Sequence, residues 1–459
     1  MNIAYISADF GVHIFGYKGA SIHVREMVTA WCKAGHAICI VSPAIGTKEG
    51  DNLGGGESKS GRKAEGEKGR VGESKDICLG LPLSHFAAHP FSLPDSARLS
   101  FLPLQPRDTH VAMFRELEKA DKFMGVKTRV RHELRNAVYN LVLFEALRDE
   151  LKAWPVDFIY ERYALFSNAG VRLAKELRVP HILEVNAPLA DEQERMRGLE
   201  MKSLAHEMEC RIWNETDAVI VVSRRLQDFV ISRGVPASRI HVVPNAVDPQ
   251  RFATAKNGEA VRRHYQLQGK CVVGFVGSLK PWHGTEILLT AFRALHEQAT
   301  HTHLLIVGDG PGRADLEKLA QAQGVNGAVI FTGNVPYDDI PNYIAAMDIT
   351  VAPYKPQENF YYSPIKIFEY MIMGKPVVAG KIGQVEEVII DGETGVLFEP
   401  GNVEQLEAAL AQLAGDAQLC HRLGENARAW VQKERTWDNN ARQVVEMAKS
   451  VTRKKHNMH

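Results

Sequence analysis

Short apolar runs alternate with longer amphipathic segments along most of the chain. Residues 2–8 (NIAYISA) and 37–43 (AICIVSP) have the composition of buried strands, and residues 21–34 between them have the periodicity of an amphipathic helix that Gly35 ends. A strand, a glycine-containing loop, a helix and a second strand are the repeating unit of a parallel sheet. The first part of the chain is therefore predicted to form an α/β domain.

The same alternation continues toward the C terminus. Helical periodicity over 108–153 precedes a further group of strand-like runs, and a second series of such runs begins at 270. The predicted strands lie at 157–163, 181–187, 217–223, 241–248, 270–279, 303–311, 329–335, 349–354, 376–380 and 395–400. This pattern predicts two doubly wound α/β halves joined near 245–250. Ligands of such sheets bind outside the carboxyl ends of the strands, and two facing domains would form a cleft for a small molecule.

One segment departs from the alternation. Residues 46–76 contain almost no apolar side chain and consist mainly of Gly, Ser, Lys and Glu. Such a composition cannot bury enough apolar surface to fold, so a disordered insertion into the first domain is predicted. The predicted domains are 1–247, 248–430 and a C-terminal segment 431–459.

Composition narrows the class of protein. The chain has 459 residues, 45% of them hydrophobic, and its 55 acidic and 55 basic residues balance. No global basic field favours nucleic acid, so nucleic acid is not expected as a partner. The six cysteines show no zinc spacing, and no acidic pair suited to a metal was found, so we expect neither a metal nor a cofactor. Without a signal peptide or an apolar run of about 18 residues, a cytoplasmic protein is predicted, with contact to a membrane face left open.

The stretch SPIKIFEY, which starts at Ser363, places a lysine where a carboxylate is usual. Ser363 is predicted to cap a helix with Pro364 as its first residue, so Lys366 lies in the first turn. The helix dipole is positive there, and a lysine adds like charge to it. An anion bound at the helix N-terminus would explain this choice. The alternative is a surface ion pair between Lys366 and Glu369, three residues on.

Three glycine loops are further candidates for phosphate contact. GFVGSLKPWHG (274–284) carries Lys280 and His283 after a strand, VGDGP (307–311) contains Gly308, and FGYKGASIHVRE (15–26) contains Gly19 before a helix. Ordinary loops or tight turns explain each of them as an alternative. The basic run KTRVRHELR (127–135) could contact an anionic acceptor or a lipid head group, or it could be a solvated helix face.

These segments together resemble the retaining glycosyltransferase family 4, whose members have the two-domain GT-B fold. The resemblance covers nearly the whole chain. Its most specific parts are TDAVIVVSRRL, RIHVVPNAVDPQRF, FVGSLKPWHGTEILL, LLIVGDGP, VIFTGNVPYDDIPNYIAAMD, SPIKIFEYMIMGKPVVA and VIIDGETGVLFEPGN. It implies a GT-B fold of two Rossmann-like, doubly wound domains facing each other across a cleft, with the acceptor site in the first domain and the nucleotide-sugar site in the second.

The resemblance also implies roles for individual residues. Glu369 would accept hydrogen bonds from the ribose, Lys366 would lie close to the diphosphate, and the backbone of 331–335, which ends at Val335, would meet the base. Gly308 would lie in the same donor site, and the Gly19 amide would face the distal phosphate. The last helix, near Trp437, would cross back to the first domain.

Three positions depart from the family pattern. Tyr361 occupies the place of the first of two glutamates, so the sugar hydroxyls would be bound by backbone amides around Ser363–Ile365, a stretch that includes Pro364, or by Glu358. Ser278 and His283 replace an arginine and a lysine, which leaves Lys280 to supply the cation. Asn186 stands near the place of a histidine in the first domain.

The resulting hypothesis is a metal-independent, retaining glycosyltransferase. It would move a sugar from a nucleotide sugar, with a UDP-sugar as the first candidate, to a hydroxyl acceptor that the sequence does not identify. The alternatives are another GT-B chemistry, such as an epimerase or a phosphorylase, and a catalytically idle subunit that binds nucleotide sugar or organises a polysaccharide assembly.

Overall fold

The computed structural model describes residues 1–16, 18–45, 81–82, 91, 93–253 and 257–457. It divides into two compact units, and the predicted insertion at 46–76 lies outside the described residues. The first unit comprises Met1–Val221, Leu226–Val242 and the chain from Ala441 onward; the second comprises Val222–Arg225 and Val243–Asn440. Each unit contains a parallel sheet, as the alternation of apolar runs and amphipathic segments predicted.

The first unit is built on an eight-stranded sheet in its described part. The strand order is β3-β4-β2-β1-β5-β6-β7-β8, and every pair is parallel except β3 with β4. The strands are β1 (Asn2–Ser7), β2 (Ala37–Ser42), β3 (Leu81–Pro82), β4 (Arg98–Pro103), β5 (Phe158–Arg162), β6 (His181–Val185), β7 (Ala218–Val221) and β8 (Ile240–Val242). The chain winds outward from β1 in one direction and then restarts at β5 on its other side. This reversal between β1 and β5 is the point where doubly wound sheets bind ligands.

Seven helices accompany this sheet along the described chain: α1 (Gly19–Lys33), α2 (Asp108–Met124), α3 (Val130–Ala153), α4 (Ala169–Leu177), α5 (Leu189–Met196), α6 (Lys202–Glu215) and α7 (Arg224–Ser232). The continuous helical periodicity over 108–153 is divided into α2 and α3. Gly125 ends α2 in the left-handed conformation with φ 68°, which a residue with a Cβ rarely adopts. Buried aromatic rings fix α1 on the sheet, since Trp31 lies 5.1 Å from Tyr160 and 6.2 Å from Tyr5 between ring centroids.

The second unit has a six-stranded parallel sheet in the order β11-β10-β9-β12-β13-β14. Its strands are β9 (Cys271–Val276), β10 (Thr302–Val307), β11 (Val329–Phe331), β12 (Ile349–Ala352), β13 (Val377–Gly380) and β14 (Val396–Phe398). All strands are short and mostly apolar, as expected when both faces are covered by helices. The winding reverses between β9 and β12, so a ligand site is expected at the carboxyl ends of these two strands.

The helices of the second half of the chain are α8 (Pro249–Ala253), α9 (Gly258–His264), α10 (Thr285–Gln298), α11 (Arg313–Ala322), α12 (Ile340–Ala345), α13 (Ile365–Ile372), α14 (Val385–Val388), α15 (Val403–Gly415), α16 (Ala417–Glu434) and α17 (Trp437–Asn457). From Ala441 onward α17 packs in the first unit. The indole nitrogen of Trp31 donates a hydrogen bond of 3.0 Å to the Ala441 carbonyl, and the Lys455 ammonium contacts Asp217 at 2.7 Å. The C-terminal segment is thus held by both a buried polar contact and an ion pair.

Candidate functional site

The ammonium group of Lys366 is buried at the switch point of the second unit. Its Nζ lies 4.1 Å from the centre of the Phe275 ring and 5.9 Å from that of Tyr354. It is also close to Gly277, the residue after β9, because a Cβ built on that glycine would lie 2.6 Å from Nζ. Within the described chain no hydrogen-bond acceptor reaches this ammonium. A cation in contact with two aromatic faces and no acceptor is expected to attract an anionic ligand.

Burial controls the charge of this lysine. Desolvation lowers the pKa of Lys366 to about 7, although the negative charge of Glu369 opposes the shift. Glu369 lies one turn along α13 and is only 4% exposed. The alternative of a surface ion pair between these residues is therefore excluded by their burial. An anion at this place would restore the charged form of the amine.

The predicted cap of this helix is wrong by one residue. The helix begins at Ile365, and Pro364 is the extended residue before it, with ψ 106°. The Ser363 hydroxyl does not turn to the helix because it accepts a hydrogen bond of 2.8 Å from the Asn245 backbone, and the Ser363 carbonyl accepts one of 2.5 Å from the Asn245 side chain. Lys366 is thus the second helical residue, and its first turn carries no acidic side chain. The positive end of the dipole remains unopposed.

The glycines of VGDGP are explained by backbone packing. Gly308 has φ 133°, and a Cβ on it would lie 2.1 Å from the carbonyl oxygen of Gly277. Its amide donates a hydrogen bond of 3.0 Å to the Gly333 carbonyl. A Cβ on Gly310 would lie 2.7 Å from the Leu279 amide nitrogen. The loops after β9, β10 and β11 are therefore in direct backbone contact, which favours the structural alternative for these glycines.

Ser278 and His283 stand where the family has an arginine and a lysine, and His283 does not supply the missing positive charge. Its imidazole Nδ1 contacts the Ser278 carbonyl oxygen, which can only accept, so Nδ1 carries the proton. Desolvation and the nearby charge of Lys366 lower the pKa of His283 to about 3, so the ring is neutral at physiological pH. Lys280 is exposed, with its Nζ 4.8 Å from the centre of the Trp282 ring. Lys366 and Lys280 are accordingly the cations near His283.

Two predicted donor-site residues lie in the segment before α13. Glu358 is exposed, and its carbonyl oxygen accepts a hydrogen bond from Arg225. Tyr361 is buried, and its carbonyl oxygen accepts one of 2.8 Å from the Ser223 hydroxyl. Ser223 and Arg225 belong to the second unit, so these hydrogen bonds hold the segment before α13 within its own unit. Val335, the predicted neighbour of the base, is half-buried in the loop after β11.

Two other predicted residues belong to the first unit. Gly19 is the exposed first residue of α1, and no side chain of the described residues caps that helix. Asn186 follows β6, and its side-chain amide donates to the carboxylate of Glu184. Both positions lie at the carboxyl edge of the sheet, at the ends where ligands of this architecture bind.

Glu184 is a buried charged residue that the sequence pattern did not identify as functional. Its carboxylate is contacted by His23 at 2.9 Å and Arg162 at 2.6 Å, and it accepts from the Tyr160 hydroxyl at 2.5 Å. Burial disfavours its charge, but His23 and Arg162 outweigh burial and hold the pKa of Glu184 well below its usual range. This network fixes the orientation of Asn186. A charged residue inside the apolar strand HILEV was the available signal.

The first unit also contains a polar cavity of about 230 Å³. It opens where Asp9, Phe10 and Gly11 follow β1 and where Leu165 follows β5, which is the switch point of this sheet. The rest of its lining comes from α3 with the residue before it, and from α5 with the three residues after it: Arg129, His132, Glu133, Arg135, Asn136, Gln193, Arg197, Gly198 and Leu199. These residues are called the first-unit pocket below.

The basic run at 127–135 is divided between two environments. Arg129, His132 and Arg135 line the first-unit pocket, whereas Arg131 points to Glu118 of α2 and forms an ion pair of 2.6 Å. The run is thus neither a uniformly solvated face nor a single binding patch. Helical periodicity explains the division, because neighbouring residues of a helix face different directions.

The described residues contain neither a cluster of metal ligands nor a membrane-spanning helix. No three His, Cys, Asp or Glu side chains lie close enough together to act as joint metal ligands there. None of the helices in the same residues is both long and apolar enough to pass through a bilayer.

Comparison with known proteins agrees with the architecture. The chain matches the family Glycosyl transferases group 1 over 259–430 and Glycosyltransferase Family 4 over 108–251. It is 29% identical over 254 residues to the GDP-mannose-dependent alpha-(1-6)-phosphatidylinositol monomannoside mannosyltransferase of Mycolicibacterium smegmatis, an alignment that covers 54% of this chain and 66% of the relative. It is 31% identical over 214 residues to the alpha-D-kanosaminyltransferase of Streptomyces kanamyceticus, with 46% of this chain and 54% of the relative covered.

A solved structure extends the agreement to both units. The structure of Anabaena Alr3699/HepE in complex with UDP superposes with a TM-score of 0.67 and 18% identity, covering 98% of this chain and all of that chain. The sequence alignments to the two curated relatives span just under two thirds and about half of those proteins. At 18% identity the structural likeness carries the fold alone. The matches to both family models show that the chain belongs to the GT4-like group 1 glycosyltransferases, and the superposition shows that it has the GT-B fold.

Proposed function

We propose that this chain transfers a sugar from a nucleoside-diphosphate sugar to a hydroxyl group of an acceptor, with retention at the anomeric carbon. The observation that carries the proposal is the buried Lys366 ammonium at the switch point of the second unit, which has no acceptor among the described residues. A diphosphate at the start of α13 would supply that acceptor and would also meet the positive end of the helix dipole.

In the proposed reaction the bond between the anomeric carbon and the β-phosphate oxygen breaks. Negative charge then grows on the departing phosphate, and Lys366, Lys280 and the α13 dipole stabilise it. The acceptor hydroxyl attacks the anomeric carbon on the face that the phosphate leaves, and its proton passes to that phosphate. The products are the glycoside and the nucleoside diphosphate. Glu369, 4% exposed on α13, would hold the ribose hydroxyls.

The identity of the donor base is a proposal with two candidates. The sequence favoured a UDP-sugar, whereas the mycobacterial relative is named for GDP-mannose. Thermal denaturation with UDP-, GDP- and ADP-sugars separates them, because a ligand that binds only the folded state raises its stability by mass action. We expect one nucleotide series to raise the melting temperature of the second unit, and release of the same nucleoside diphosphate when an acceptor is added.

The proposal is contradicted if no nucleotide sugar binds or is turned over. Binding without release of nucleoside diphosphate, even by slow hydrolysis, would favour the idle subunit or scaffold. An epimerase would change the sugar while it stays on the nucleotide, and a phosphorylase would require phosphate. Metal independence is tested in the same assay, where EDTA is expected to leave turnover unchanged.

Donor affinity is predicted to depend on pH through Lys366. The pKa is about 7 in the free protein, and a bound diphosphate should return it toward its usual value near 10. The complex then holds about one more proton than its separate components at pH 7–10. The affinity for the donor is therefore highest below pH 7 and falls as the pH rises. From pH 6 to pH 9 we expect a loss of donor affinity of up to about 80-fold.

Isothermal titration with an intact nucleotide sugar measures this effect, since the diphosphate of such a molecule has no group that titrates near neutrality. Repeating the titration in two buffers of different ionisation enthalpy reports proton uptake directly. The matched comparison is Lys366→Met, which should bind weakly with no pH dependence over this range. Equal pH dependence in both proteins would assign the proton to another group.

Contact with a membrane face is a further proposal. At the end of α2 and in the turn after it, Phe123 is 93% exposed and Met124 and Val126 are also exposed. Lys122 and Lys127 flank these apolar side chains, although Lys122 also contacts Glu118 at 3.3 Å. Exposed apolar residues beside lysines suit the surface of an anionic bilayer. A cytoplasmic, membrane-associated location would follow from such a contact.

A further inference from the structure

The first-unit pocket carries three guanidinium groups around one small volume. Arg129 is the residue before α3, Arg135 lies in α3, and Arg197 is the residue after α5. The Arg135 guanidinium lies 4.0 Å from the centre of the Phe10 ring, and that ring packs at 5.0 Å against Tyr139. Arg135 is therefore held in place before any ligand arrives, which lowers the entropic cost of binding.

The acidic residues of the same pocket are engaged by backbone amides. Glu133 accepts from the amides of Glu200 at 2.9 Å and Met201 at 2.8 Å, just before α6. Asp9 accepts from the Gly11 amide at 2.7 Å. By contrast, no ion pair within the described ranges involves the guanidinium of Arg129 or Arg197. The lining formally carries three positive and two negative charges, with His132 as a further titratable group.

The pocket contains a further buried polar atom, on the side chain of Asn136. The side-chain oxygen of Asn136 is buried, and no donor within the described residues contacts it. A buried acceptor of this kind is costly unless a hydroxyl or amine reaches it. The pocket thus offers guanidinium donors and an amide acceptor side by side.

We propose that the first-unit pocket binds the acceptor substrate and that it selects a hydroxylated molecule carrying an anionic group, a phosphate or a carboxylate. Guanidinium groups bind both oxyanions in a two-pronged geometry, and the Asn136 oxygen would accept from a hydroxyl of the same molecule. The site lies at the carboxyl ends of β1 and β5, where this class of sheet binds ligands. This inference rests on the proposed function, because it names the acceptor class of that transferase.

The test compares matched probes at low ionic strength. Isothermal titration of the full chain with mannose 6-phosphate, glucuronate and mannose is expected to give at least tenfold tighter binding for the two anionic sugars. The double variant Arg129→Gln, Arg197→Gln should lose at least tenfold in affinity for them and none for mannose. The control is Arg131→Gln, on the same helix but paired with Glu118, which should bind all three probes as the unaltered protein does.

Equal affinity for charged and neutral sugars, or an equal loss in Arg131→Gln, would overturn the inference. Co-sedimentation with phosphatidylglycerol vesicles distinguishes the source of the anion: vesicle binding that the double variant loses indicates a lipid-borne phosphate, and binding of the sugar phosphate alone indicates a free one. Donor binding is measured in every variant and should stay unchanged, and slow donor hydrolysis is measured in the unaltered protein and in Arg131→Gln. Their absence in all proteins would refute the proposed function, whereas their persistence without anion selectivity would refute the acceptor class alone.

Discussion

Replacing Lys366 by methionine is expected to lower turnover by two to three orders of magnitude and, at the same time, to stabilise the unliganded protein. Loss of one preorganised donor to developing charge typically costs roughly 3 kcal/mol of transition-state stabilisation. Methionine keeps the unbranched stem and can fill the space beside Phe275 and Tyr354. Turnover with a saturating nucleotide sugar measures the first effect.

The gain in stability follows from the sign of the pKa shift. The pKa of Lys366 is about 7 in the folded protein and near 10 in the unfolded chain, so the unfolded state binds more protons between these values. The folded state therefore bears a penalty that is largest at low pH and is relieved as pH rises from 7 to 10. Removing the amine should raise the free energy of unfolding at pH 7 by roughly 1–3 kcal/mol.

Lys375→Met provides the matched control for both effects. Lys375 lies in the same unit, and its ammonium donates to the carbonyls of Ala345 at 3.0 Å and Met347 at 2.5 Å. Removing a satisfied lysine should destabilise the protein and leave transition-state stabilisation unchanged. Stabilisation by Lys366→Met without loss of turnover would contradict the proposed role, and so would equal losses of turnover in the two variants.

The N-terminal end of α13 shows which features the sequence could predict and which it could not. The periodicity of apolar residues predicted the helix, and the unusual position of Lys366 indicated the candidate site, because both are local properties. The cap could not be predicted. The Ser363 hydroxyl is bound by Asn245, 118 residues earlier in the chain, and no local rule reports such a contact. A serine with that partner is unable to cap.

The lining of the first-unit pocket could not be predicted from the sequence. It is assembled from segments near 9, 129–136, 165 and 193–199, which come together only in the folded sheet. The sequence indicated that 127–135 was basic, but it could not say which of those side chains face a cavity. The same holds for His283, whose neutral state depends on burial and on the distant Lys366. Alternation predicted the sheets and their ligand-binding edges, whereas the chemistry at those edges depends on contacts between remote segments.

Replacing Gly308 by alanine is expected to destabilise the second unit by roughly 3 kcal/mol or more. Two costs combine at this position. The φ of 133° is strained for any residue with a Cβ, and the added atom would lie 2.1 Å from the carbonyl oxygen of Gly277, a backbone atom that has little freedom to move. Since Gly277 itself adjoins the Lys366 ammonium, relief of the clash should displace that group and weaken donor binding as well.

Gly324→Ala separates the clash from the strain. Gly324 also has a positive φ, 72°, but a Cβ built there meets no atom within 4 Å, so the expected cost is only about 1 kcal/mol. Calorimetry measures both variants, and the transition of the second unit is the one that the donor nucleotide shifts upward. For a unit of this size 3 kcal/mol corresponds to a fall of about 6–12 °C. Equal shifts in the two variants would mean that the loops after β9 and β10 can separate freely, and the close backbone contact inferred at the donor site would then be wrong.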